Sequence, residues 1–352
     1  MKALVYQGNH AKAWERMRDP TMQRDSDAII QIDTATICGT DTHILEGGVS
    51  LVQPGTILGH EGTGTVIEVG SATTRIKPGD RVICKCVASC GKCSFCRQGN
   101  FGMCSDPEGG WMLGGKAHGV QAEYARIPYA DTSLIKIPEP LTSEQVVYLS
   151  DIMVTGFEVG ILRARVQPGE TVVVIGAGPI GLSTMAVARL YSPARLIAVE
   201  PSESRRRIAA KYADMAVTPE NAQATVDEAT GGVGADVAIE AVGKAATFEQ
   251  CCQLVRVGGR VANIGLHSHP VTLHMEELWI KGISITMGIP DHRTGQVLLD
   301  AILKGTIDPT LLTTHRFRMD EIIDAYEVFS KPAESGAVKV LLTADSTIGP
   351  RH

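Results

Sequence analysis

This sequence of 352 residues lacks an excess of positive charge, a long apolar run and an apolar export signal. Acidic residues outnumber basic ones by 39 to 33, and the net charge of −6 argues against a surface for nucleic acid. No stretch reaches the roughly 18 apolar residues of a membrane helix. Residues 1–6 are typical of a first strand and no signal peptide precedes them, which predicts a cytoplasmic protein without a membrane partner.

The length and the changing texture of the chain predict two domains, since one domain commonly holds about 100–200 residues. Up to about residue 150, short apolar runs of strand length are separated by glycine and proline. This pattern is typical of a domain in which an antiparallel sheet curls into a barrel. Between about 152 and 290, apolar runs of strand length such as 171–175 and 196–199 alternate with helical stretches. This alternation predicts a parallel sheet that helices cover on both faces.

A glycine-rich turn at 176–181 directly follows one of these apolar strands and begins a helix. Its first glycine permits a tight turn, the second lets the backbone approach a pyrophosphate, and the third lets the helix pack on the strand. The next strand ends at Glu200, where a carboxylate can bind the ribose hydroxyls of NAD. The cofactor-binding residues predicted in the turn are Gly176, Gly178, Pro179, Ile180 and Gly181.

Two alternatives to an NAD site are open at this turn. The glycines also suit a purely structural turn. Arg205, with Arg206 and Arg207 after it, lies just beyond Glu200 and suits the 2′-phosphate of NADP. Because a carboxylate at position 200 repels that phosphate, NAD is the favoured cofactor and Arg205 is an additional candidate contact.

Nine cysteines without an export signal indicate a reducing compartment, where cysteines are metal ligands or buried thiols. Cys90, Cys93, Cys96 and Cys104 have the spacing C-x2-C-x2-C-x7-C, which is typical of a structural zinc site with four thiolates. An iron–sulfur cluster is the alternative, because the bacterial ferredoxin run begins with the same spacing. That run continues with x3-C-P, whereas Ser105 follows the fourth cysteine here. Buried thiols are predicted at Cys84, Cys86, Cys251 and Cys252.

A second set of candidate metal ligands comprises Cys38, His60, Glu61 and Asp151. A thiolate, an imidazole and a carboxylate are the ligands of a catalytic zinc ion that keeps one position open. Asp151, isolated before an apolar helix, is also typical of an N-cap. Glu61 is equally compatible with a role that holds an imidazole or an arginine without touching the metal.

Together these motifs resemble the zinc-dependent medium-chain alcohol dehydrogenases, and the similarity extends over essentially the whole chain. The resemblance implies a mostly β, GroES-like barrel as the catalytic domain, formed by residues 1–152 and 292–352. It implies that a Rossmann domain, a doubly wound parallel sheet of the α/β class, interrupts this domain at residues 153–291. It also implies two zinc ions per chain, a small alcohol or ketone as substrate, and a homo-oligomer, with a tetramer favoured over a dimer.

The same resemblance implies roles for individual residues. The catalytic zinc ligands would be Cys38, His60, Asp151 and, in exchange with water or substrate, Glu61. Thr40 would accept the hydroxyl proton of the alcohol, and His43 would pass it to solvent by way of the cofactor ribose. Thr155 would pack against the nicotinamide, and Lys339 would meet the pyrophosphate.

Two subgroups of the family are mixed in this chain. An Asp at position 151 is typical of the secondary-alcohol dehydrogenases, which commonly lack the four-cysteine loop and prefer NADP. Here the loop and Glu200 are both present. Trp111, with Val87 near it, resembles the indole that lines the secondary-alcohol pocket, although the core of an interface would use the same ring. A bulky ring beside zinc favours small aliphatic alcohols and ketones over polyols.

The leading hypothesis is an NAD-dependent zinc alcohol dehydrogenase that oxidises small primary or secondary alcohols reversibly to aldehydes or ketones. A formaldehyde-type or polyol dehydrogenase of the same fold is the second hypothesis. The third is a non-catalytic nucleotide-binding protein, against which the intact residues Cys38, Thr40, His43 and His60 argue.

Overall fold

The computed structural model describes residues 1–344, which divide into two compact units. Unit 1 combines Met1–Asp151 with the segment that begins at Pro290, and unit 2 comprises Ile152–Ile289. The sequence places the corresponding boundaries after residues 152 and 291. Residues 345–352, the end of the predicted return segment, lie outside the described residues.

Strands alternate with short helices along the described chain. The strands are β1 (Lys2–Gly8), β2 (Ala11–Arg16), β3 (Ala28–Ile37), β4 (Gly62–Val69), β5 (Arg81–Cys84), β6 (Val87–Ala88), β7 (Gly110–Trp111), β8 (Tyr124–Ile127), β9 (Leu134–Lys136), β10 (Thr171–Ile175), β11 (Arg195–Val199), β12 (Met215–Val217), β13 (Ala235–Glu240), β14 (Val255–Asn263), β15 (Ser284–Met287), β16 (Thr313–Arg318) and β17 (Lys339–Thr343).

The α-helices are α1 (Gly39–Leu45), α2 (Ser94–Arg97), α3 (Ala130–Ser133), α4 (Ser143–Val146), α5 (Ile152–Thr155), α6 (Pro179–Ala188), α7 (Glu203–Ala209), α8 (Ala222–Thr230), α9 (Ala245–Leu254), α10 (Met275–Leu278), α11 (Gly295–Leu303), α12 (Ile322–Ser330) and α13 (Pro332–Ser335). A π-helix spans Gly156–Leu162, and 3₁₀ turns span Phe101–Met103, Val147–Ser150, Arg189–Tyr191, Pro219–Asn221, Trp279–Lys281, Pro309–Leu312 and Met319–Glu321. Within residues 1–344, no single helix has the length and apolar composition of a membrane span, and only Ser143–Ser150 taken together with Ile152–Leu162 does.

Unit 1 contains a seven-stranded sheet in the order β16-β17-β3-β4-β5-β9, with β8 also paired to β3. All its pairings are antiparallel except that of β16 with β17. Strand β17 of the return segment pairs with β3, so that Val340 lies opposite Ile37 and Thr343 lies opposite Thr34. The return segment therefore completes the sheet that the N-terminal residues begin.

Buried aliphatic side chains from both parts of unit 1 form one core. Residues of β3, of α12 and of β17 belong to the same cluster, and they include Ile30, Ile37, Ile322, Tyr326 and Val340. Burial of one such large apolar side chain stabilises a fold by about 1.5–3 kcal/mol. This core fixes the ends of β3 and β4, next to which the candidate metal ligands lie.

Unit 2 contains a six-stranded parallel sheet in the order β12-β11-β10-β13-β14-β15. All five residues of the central strand β10 are buried, as expected for a strand that is covered on both faces. The strand order reverses between β10 and β13, and sheets of this type bind ligands at the carboxyl ends of the strands at such a point. The predicted fold class, a doubly wound parallel sheet plus a β-rich unit, is confirmed.

Candidate functional site

Three predicted ligands converge in unit 1. Cys38, His60 and Asp151 each place one ligand atom within 4.8 Å of the other two. Cys38 directly follows β3, and His60 lies two residues before β4, the neighbouring antiparallel strand. Asp151 follows the 3₁₀ turn Val147–Ser150, and the hydroxyl of Ser150 donates to the carbonyl of Gly62 at 3.1 Å. Adjacent strand ends and this tether therefore bring the three residues together.

The electrostatic environment of the cluster suits a cation. Cys38 is 8% exposed and His60 is 2% exposed, and burial by itself lowers the pKa of His60. The charges of Asp41 and Cys38 outweigh burial and raise the pKa of His60 well above its ordinary value. One thiol, one imidazole and one carboxylate in a buried, negative environment fit a zinc ion with one position left open.

Asp41 supports His60 from the opposite side of its ring and was not assigned a role from the sequence. Its Oδ1 lies 3.3 Å from Nδ1 of His60, while Nε2 of His60 lies 3.3 Å from Oδ2 of Asp151. A carboxylate behind a histidine ligand orients the ring and sets its tautomer. The available signal was the acidic residue three positions after Cys38, which alone does not reveal a contact with residue 60.

The structure gives Glu61 and Lys339 a contact with each other that the sequence does not reveal. The Lys339 ammonium is fully buried and donates to the Glu61 carboxylate and, at 3.0 Å, to the carbonyl of Ile37. The hydroxyl of Thr36 also donates to Glu61, whose carboxylate is not among the three converging ligand atoms. Burial opposes the charge of Lys339, but Glu61 and Cys38 raise its pKa above the ordinary value. The Lys339 ammonium is therefore paired with a buried carboxylate, and its contact with the cofactor pyrophosphate stays a prediction, as does ligation of the metal by Glu61.

Asp151 contacts Cys86, which in turn contacts His292, and the sequence did not connect these residues. The Cys86 thiol lies 3.6 Å from Oδ1 of Asp151 and 3.3 Å from Nε2 of His292. Both are buried, and burial lowers the pKa of His292 to about 3 while burial and Asp151 raise that of Cys86. Cys86 is thus buried as predicted, but it also contacts the carboxylate of a candidate ligand. Nothing in the spacing of Cys86 and His292 indicates this pairing.

Thr40 and His43 lie three residues apart on α1 and hence on the same face of this helix. The Thr40 hydroxyl oxygen is 3.9 Å from Sγ of Cys38, so it borders the ligand cluster. The His43 side chain is 30% exposed, and its Nδ1 lies 3.9 Å from a carboxylate oxygen of Glu46. The part of these two residues in proton transfer stays a prediction.

Val87 and Trp111 are direct partners in the two-stranded sheet of β6 and β7. The Trp111 ring is half-buried and stands edge-on to the imidazole of His60, with 6.4 Å between the ring centroids. Gly115 lies against this ring, because a Cβ at that position would be 3.3 Å from the indole atoms. An apolar wall therefore stands beside a candidate metal ligand.

The four-cysteine loop also brings its sulfur atoms together. All four lie within 4.8 Å of one another, and the pairs Cys90–Cys96 and Cys93–Cys104 are each 4.0 Å apart. Tetrahedral zinc–thiolate bonds of 2.3 Å separate sulfurs by about 3.8 Å, so the space fits one ion. Amide donors from Cys96 and Ser105 lower the pKa of Cys93 to about 5. Preformed donors to sulfur favour thiolates and hence a bound metal.

The glycine-rich turn of unit 2 has the geometry that its sequence predicts. Gly176 has a φ of +102°, and a Cβ on Gly181 would lie 1.9 Å from the Gly176 carbonyl oxygen. A Cβ on Gly178 would meet nothing within 4 Å, which leaves its backbone open to a ligand. Pro179 and Ile180 begin α6, whose N-terminus offers amide donors to an anion. Glycine is thus favoured at each of the three positions for a different physical reason.

The predicted ribose contact lies beside this turn. The Glu200 carboxylate is buried and accepts from the backbone N–H groups of Ala177 at 2.8 Å and Ser202 at 3.0 Å. Arg206 donates to the Glu200 carbonyl, whereas Arg205 is half-exposed and forms no hydrogen bond or ion pair within residues 1–344. Thr155 is the half-buried last residue of α5. The cofactor contacts of these residues stay predictions.

Comparison with known proteins identifies relatives for both units. A model of the alcohol dehydrogenase GroES-like domain matches residues 24–139, and a model of the zinc-binding dehydrogenases matches residues 179–294. An alcohol dehydrogenase of Cupriavidus necator is 35% identical over 348 residues, covering 90% of this chain and 92% of that protein. The apo structure of zinc-dependent alcohol dehydrogenase 2 from Streptococcus pneumonia is 42% identical, with a TM-score of 0.94 over 99% of this chain and all of that one.

Two further similar structures contain nicotinamide cofactors. A Sinorhizobium meliloti protein solved with NADP is 28% identical, with a TM-score of 0.84 over 97% of this chain and 98% of its own. An Escherichia coli alcohol dehydrogenase solved with NADH is 26% identical, with a TM-score of 0.86 over 97% of this chain and 99% of its own. The two relatives differ in the cofactor that they hold.

Proposed function

The chain belongs to the zinc-dependent medium-chain alcohol dehydrogenases, and from this premise we propose that it oxidises small primary or secondary alcohols reversibly with NAD as hydride acceptor. Membership of the family makes it an oxidoreductase that uses zinc and a nicotinamide cofactor. The observation that carries the proposal is the convergence of a thiol, an imidazole and a carboxylate within 4.8 Å.

The residues of the cluster would hold the catalytic metal. Cys38, His60 and Asp151 would hold a zinc ion, which would supply a Lewis acid for the alcohol oxygen, and a bound NAD would supply the hydride acceptor. The thiolate and the carboxylate together balance the charge of a divalent ion in a buried position. The four-cysteine loop would hold a second, structural zinc, which gives two zinc ions per chain.

The proton of the alcohol leaves through side chains of α1. Thr40 takes it through the hydroxyl that borders the ligand cluster, 3.9 Å from Sγ of Cys38. His43, on the same face of the helix and 30% exposed, releases it to solvent. Such a relay is needed because Cys38 and His60 are buried.

The substrate class follows from the apolar wall beside the cluster. Trp111 stands edge-on to His60, and its strand partner Val87 adds a second apolar side chain. A wall of this kind limits substrate size and offers few hydrogen bonds to a polyol. Small aliphatic alcohols and ketones are therefore the expected substrates.

A substrate panel tests the proposed reaction. Purified, zinc-loaded protein is assayed with NAD and one of four substrates: 2-propanol, ethanol, the thiol adduct of formaldehyde, or sorbitol. We expect the highest kcat/KM with the small aliphatic alcohols. A preference for the formaldehyde adduct or sorbitol would replace the substrate class, and turnover of none of them would make the protein a non-catalytic binder.

The cofactor preference is assigned to Glu200. Its buried carboxylate contacts the N–H of Ala177 in the glycine-rich turn, so the position that ribose hydroxyls approach is negative. This charge would repel the 2′-phosphate of NADP, whereas NAD carries a hydroxyl at that position. Arg205 lies on the following helix without a described side-chain partner and is a candidate to stabilise such a phosphate.

Replacement of Glu200 by alanine is expected to lower the ratio of kcat/KM for NAD to that for NADP at least about 10-fold, which corresponds to about 1.4 kcal/mol. The change removes both the ribose acceptor and the repulsion of the phosphate. Arg207→Ala is the matched control, because Arg207 is exposed and pairs with Glu203 on its own helix. An undiminished NAD preference in Glu200→Ala would refute this assignment.

An apolar edge of unit 2 supports assembly into a homo-oligomer, for which a tetramer is favoured over a dimer. Strand β15 is the last strand of the six-stranded sheet. Among the described residues, no strand of this sheet pairs with its outer edge. Trp279, Ile280 and Met287 in or near it are 71%, 70% and 62% exposed. Exposed edge strands with apolar neighbours mark association surfaces. Sedimentation equilibrium measures the mass, and a monomer at micromolar concentration would exclude this assembly.

The expected location is the cytoplasm. Cysteine thiols converge at the four-cysteine loop, and a metal requires all of them in the reduced form. Fractionation of the native cells tests this, since an exported protein would be found outside the cytoplasmic fraction.

A further inference from the structure

A chain of buried side-chain contacts links helix α12 to His60 through Gln121 and Asp41. Tyr326 begins this chain and is 1% exposed, while Gln121 and Asp41 are fully buried. Buried polar groups that lack partners are costly, so the hydrogen bonds from Tyr326 through Gln121 to Asp41 restrict the orientation of these side chains. The network lies entirely within unit 1 and joins its N-terminal part to its return segment.

The direction of the hydrogen bonds is set at Tyr326. Its hydroxyl donates to Oε1 of Gln121 at 2.8 Å, which requires the amide nitrogen of Gln121 to face the other way. That nitrogen donates to Oδ2 of Asp41 and to the carbonyl of Thr36, each at 3.1 Å. Both amide hydrogens are therefore used, and the Gln121 side chain has one favourable orientation.

Asp41 transmits this orientation to the imidazole. Its Oδ2 also accepts from the backbone N–H of Cys38 at 3.0 Å, and its Oδ1 lies 3.3 Å from Nδ1 of His60. A carboxylate at this distance from Nδ1 restrains the orientation of the ring, as partners behind histidine ligands do. The other nitrogen, Nε2, lies 3.3 Å from Oδ2 of Asp151, on the side where the candidate ligand atoms converge.

Backbone hydrogen bonds hold Gln121 next to Gly59 and His60. Its N–H donates to the carbonyl of Leu58 at 3.0 Å, and its carbonyl accepts from Leu4 at 2.8 Å. A Cβ at Gly59 would lie 2.5 Å from Cγ of Gln121, and the φ of Gly59 is +91°. The glycine before His60 is thus needed both for its conformation and for the passage of the Gln121 side chain.

We propose that Gln121 and Tyr326 are positioning residues for His60 as a ligand of the catalytic zinc. They act through Asp41, which lies between Gln121 and the imidazole. The inference rests on the proposed function, because it requires that His60 binds the metal. It extends that function from the converging ligands to a helix of the return segment.

The test compares Tyr326→Phe with Tyr124→Phe. Tyr124 is a matched control, since it is only 6% exposed and its hydroxyl has no hydrogen-bond partner within the described chain. The affinity of the catalytic site for zinc is measured by competition between the holoenzyme and a chelator. We expect Tyr326→Phe to raise the dissociation constant about 10-fold, as for residues that support metal ligands, and Tyr124→Phe to leave it unchanged.

A second variant and a spectroscopic signal separate positioning from general stability. Gln121→Leu removes both links and is expected to raise the dissociation constant about 100-fold. With cobalt in the catalytic site, the d–d absorption bands are expected to shift in Tyr326→Phe and Gln121→Leu but not in Tyr124→Phe. If Gln121→Leu does not fold, Tyr326→Phe decides the question, because it removes a single oxygen atom.

Unchanged zinc affinity and an unchanged cobalt spectrum in Tyr326→Phe would overturn the proposal, even where Cys38→Ser abolishes activity. If the wild-type protein holds only the zinc of the four-cysteine loop, the proposed function fails and the role of Tyr326 fails with it. The zinc count of the wild-type protein therefore distinguishes the two failures.

Discussion

Replacement of Cys38 by serine is expected to lower kcat/KM for alcohol oxidation by at least about 10³-fold, equivalent to about 4 kcal/mol of transition-state stabilisation. A hydroxyl is neither as soft nor as readily ionised as a thiol, so the converging set loses its sulfur ligand. Steady-state kinetics with NAD and 2-propanol measure the loss, and metal analysis is expected to show a fall from two zinc ions per chain to one.

Cys252→Ser is the matched control for this change. Cys252 is also buried, but it lies in α9 of unit 2 and belongs to the hydrophobic core there. Its replacement is expected to leave both zinc ions and the kcat/KM in place. Undiminished turnover by a zinc-loaded Cys38→Ser protein would show that Cys38 is not a ligand of the catalytic metal.

Replacement of Cys96 by serine is expected to remove the structural zinc and to lower the free energy of unfolding by about 4 kcal/mol, with a Tm lower by roughly 10 °C. Cys96 is 4% exposed and lies 4.0 Å from the sulfur of Cys90. Burial and the neighbouring Cys93 raise the pKa of Cys96 to about 12, so without a metal this thiol stays protonated. Only a bound cation makes four adjacent thiolates favourable.

Calorimetry and metal analysis of the same preparation test the role of this loop. Ser94→Ala is a suitable control, because Ser94 is an exposed neighbour in α2 and offers no sulfur. Its Tm is expected to stay within about 2 °C of the wild type, since surface substitutions change stability by about 0.5 kcal/mol or less. A Cys96→Ser protein with two zinc ions and an unaltered Tm would rule out a structural site.

Regular elements of the fold were predictable because their apolar patterns are local. The apolar runs at 171–175 and 196–199 correspond to the strands Thr171–Ile175 and Arg195–Val199. The first strand that residues 1–6 indicate is found at Lys2–Gly8. An uninterrupted apolar run indicates a strand buried on both faces whatever its partners are. The order of the strands, by contrast, depends on contacts between distant residues.

Part of the candidate site was predictable for the same reason. The spacing of the four cysteines and of the glycine-rich turn is local, and the structure gives both the expected geometry. The roles of charged partners were not accessible in this way. Glu61 and Lys339 are 278 residues apart, and only the pairing of β17 with β3 brings them together. The lysine that is predicted to meet a phosphate is also paired with a buried carboxylate, and its sequence neighbours do not indicate this pairing.

The support of His60 was hidden for a similar reason. Tyr326 and Gln121 are 205 residues apart, and neither lies in a recognisable metal motif. Their side chains acquire a role only when α12 packs into the core of unit 1. Short motifs thus predict the types of metal ligand. The residues that orient these ligands are identified only once the tertiary packing is known.

Zinc content measured against activity during stepwise chelation tests the central claim most directly. The wild-type protein is expected to begin with two zinc ions per chain and to lose alcohol oxidation in proportion to the first ion removed. The Tm should then fall only slightly, because the four-cysteine loop still holds its ion, and added zinc should restore activity. Full activity in protein that retains only the zinc of the four-cysteine loop, or no zinc, would contradict a catalytic metal at Cys38, His60 and Asp151.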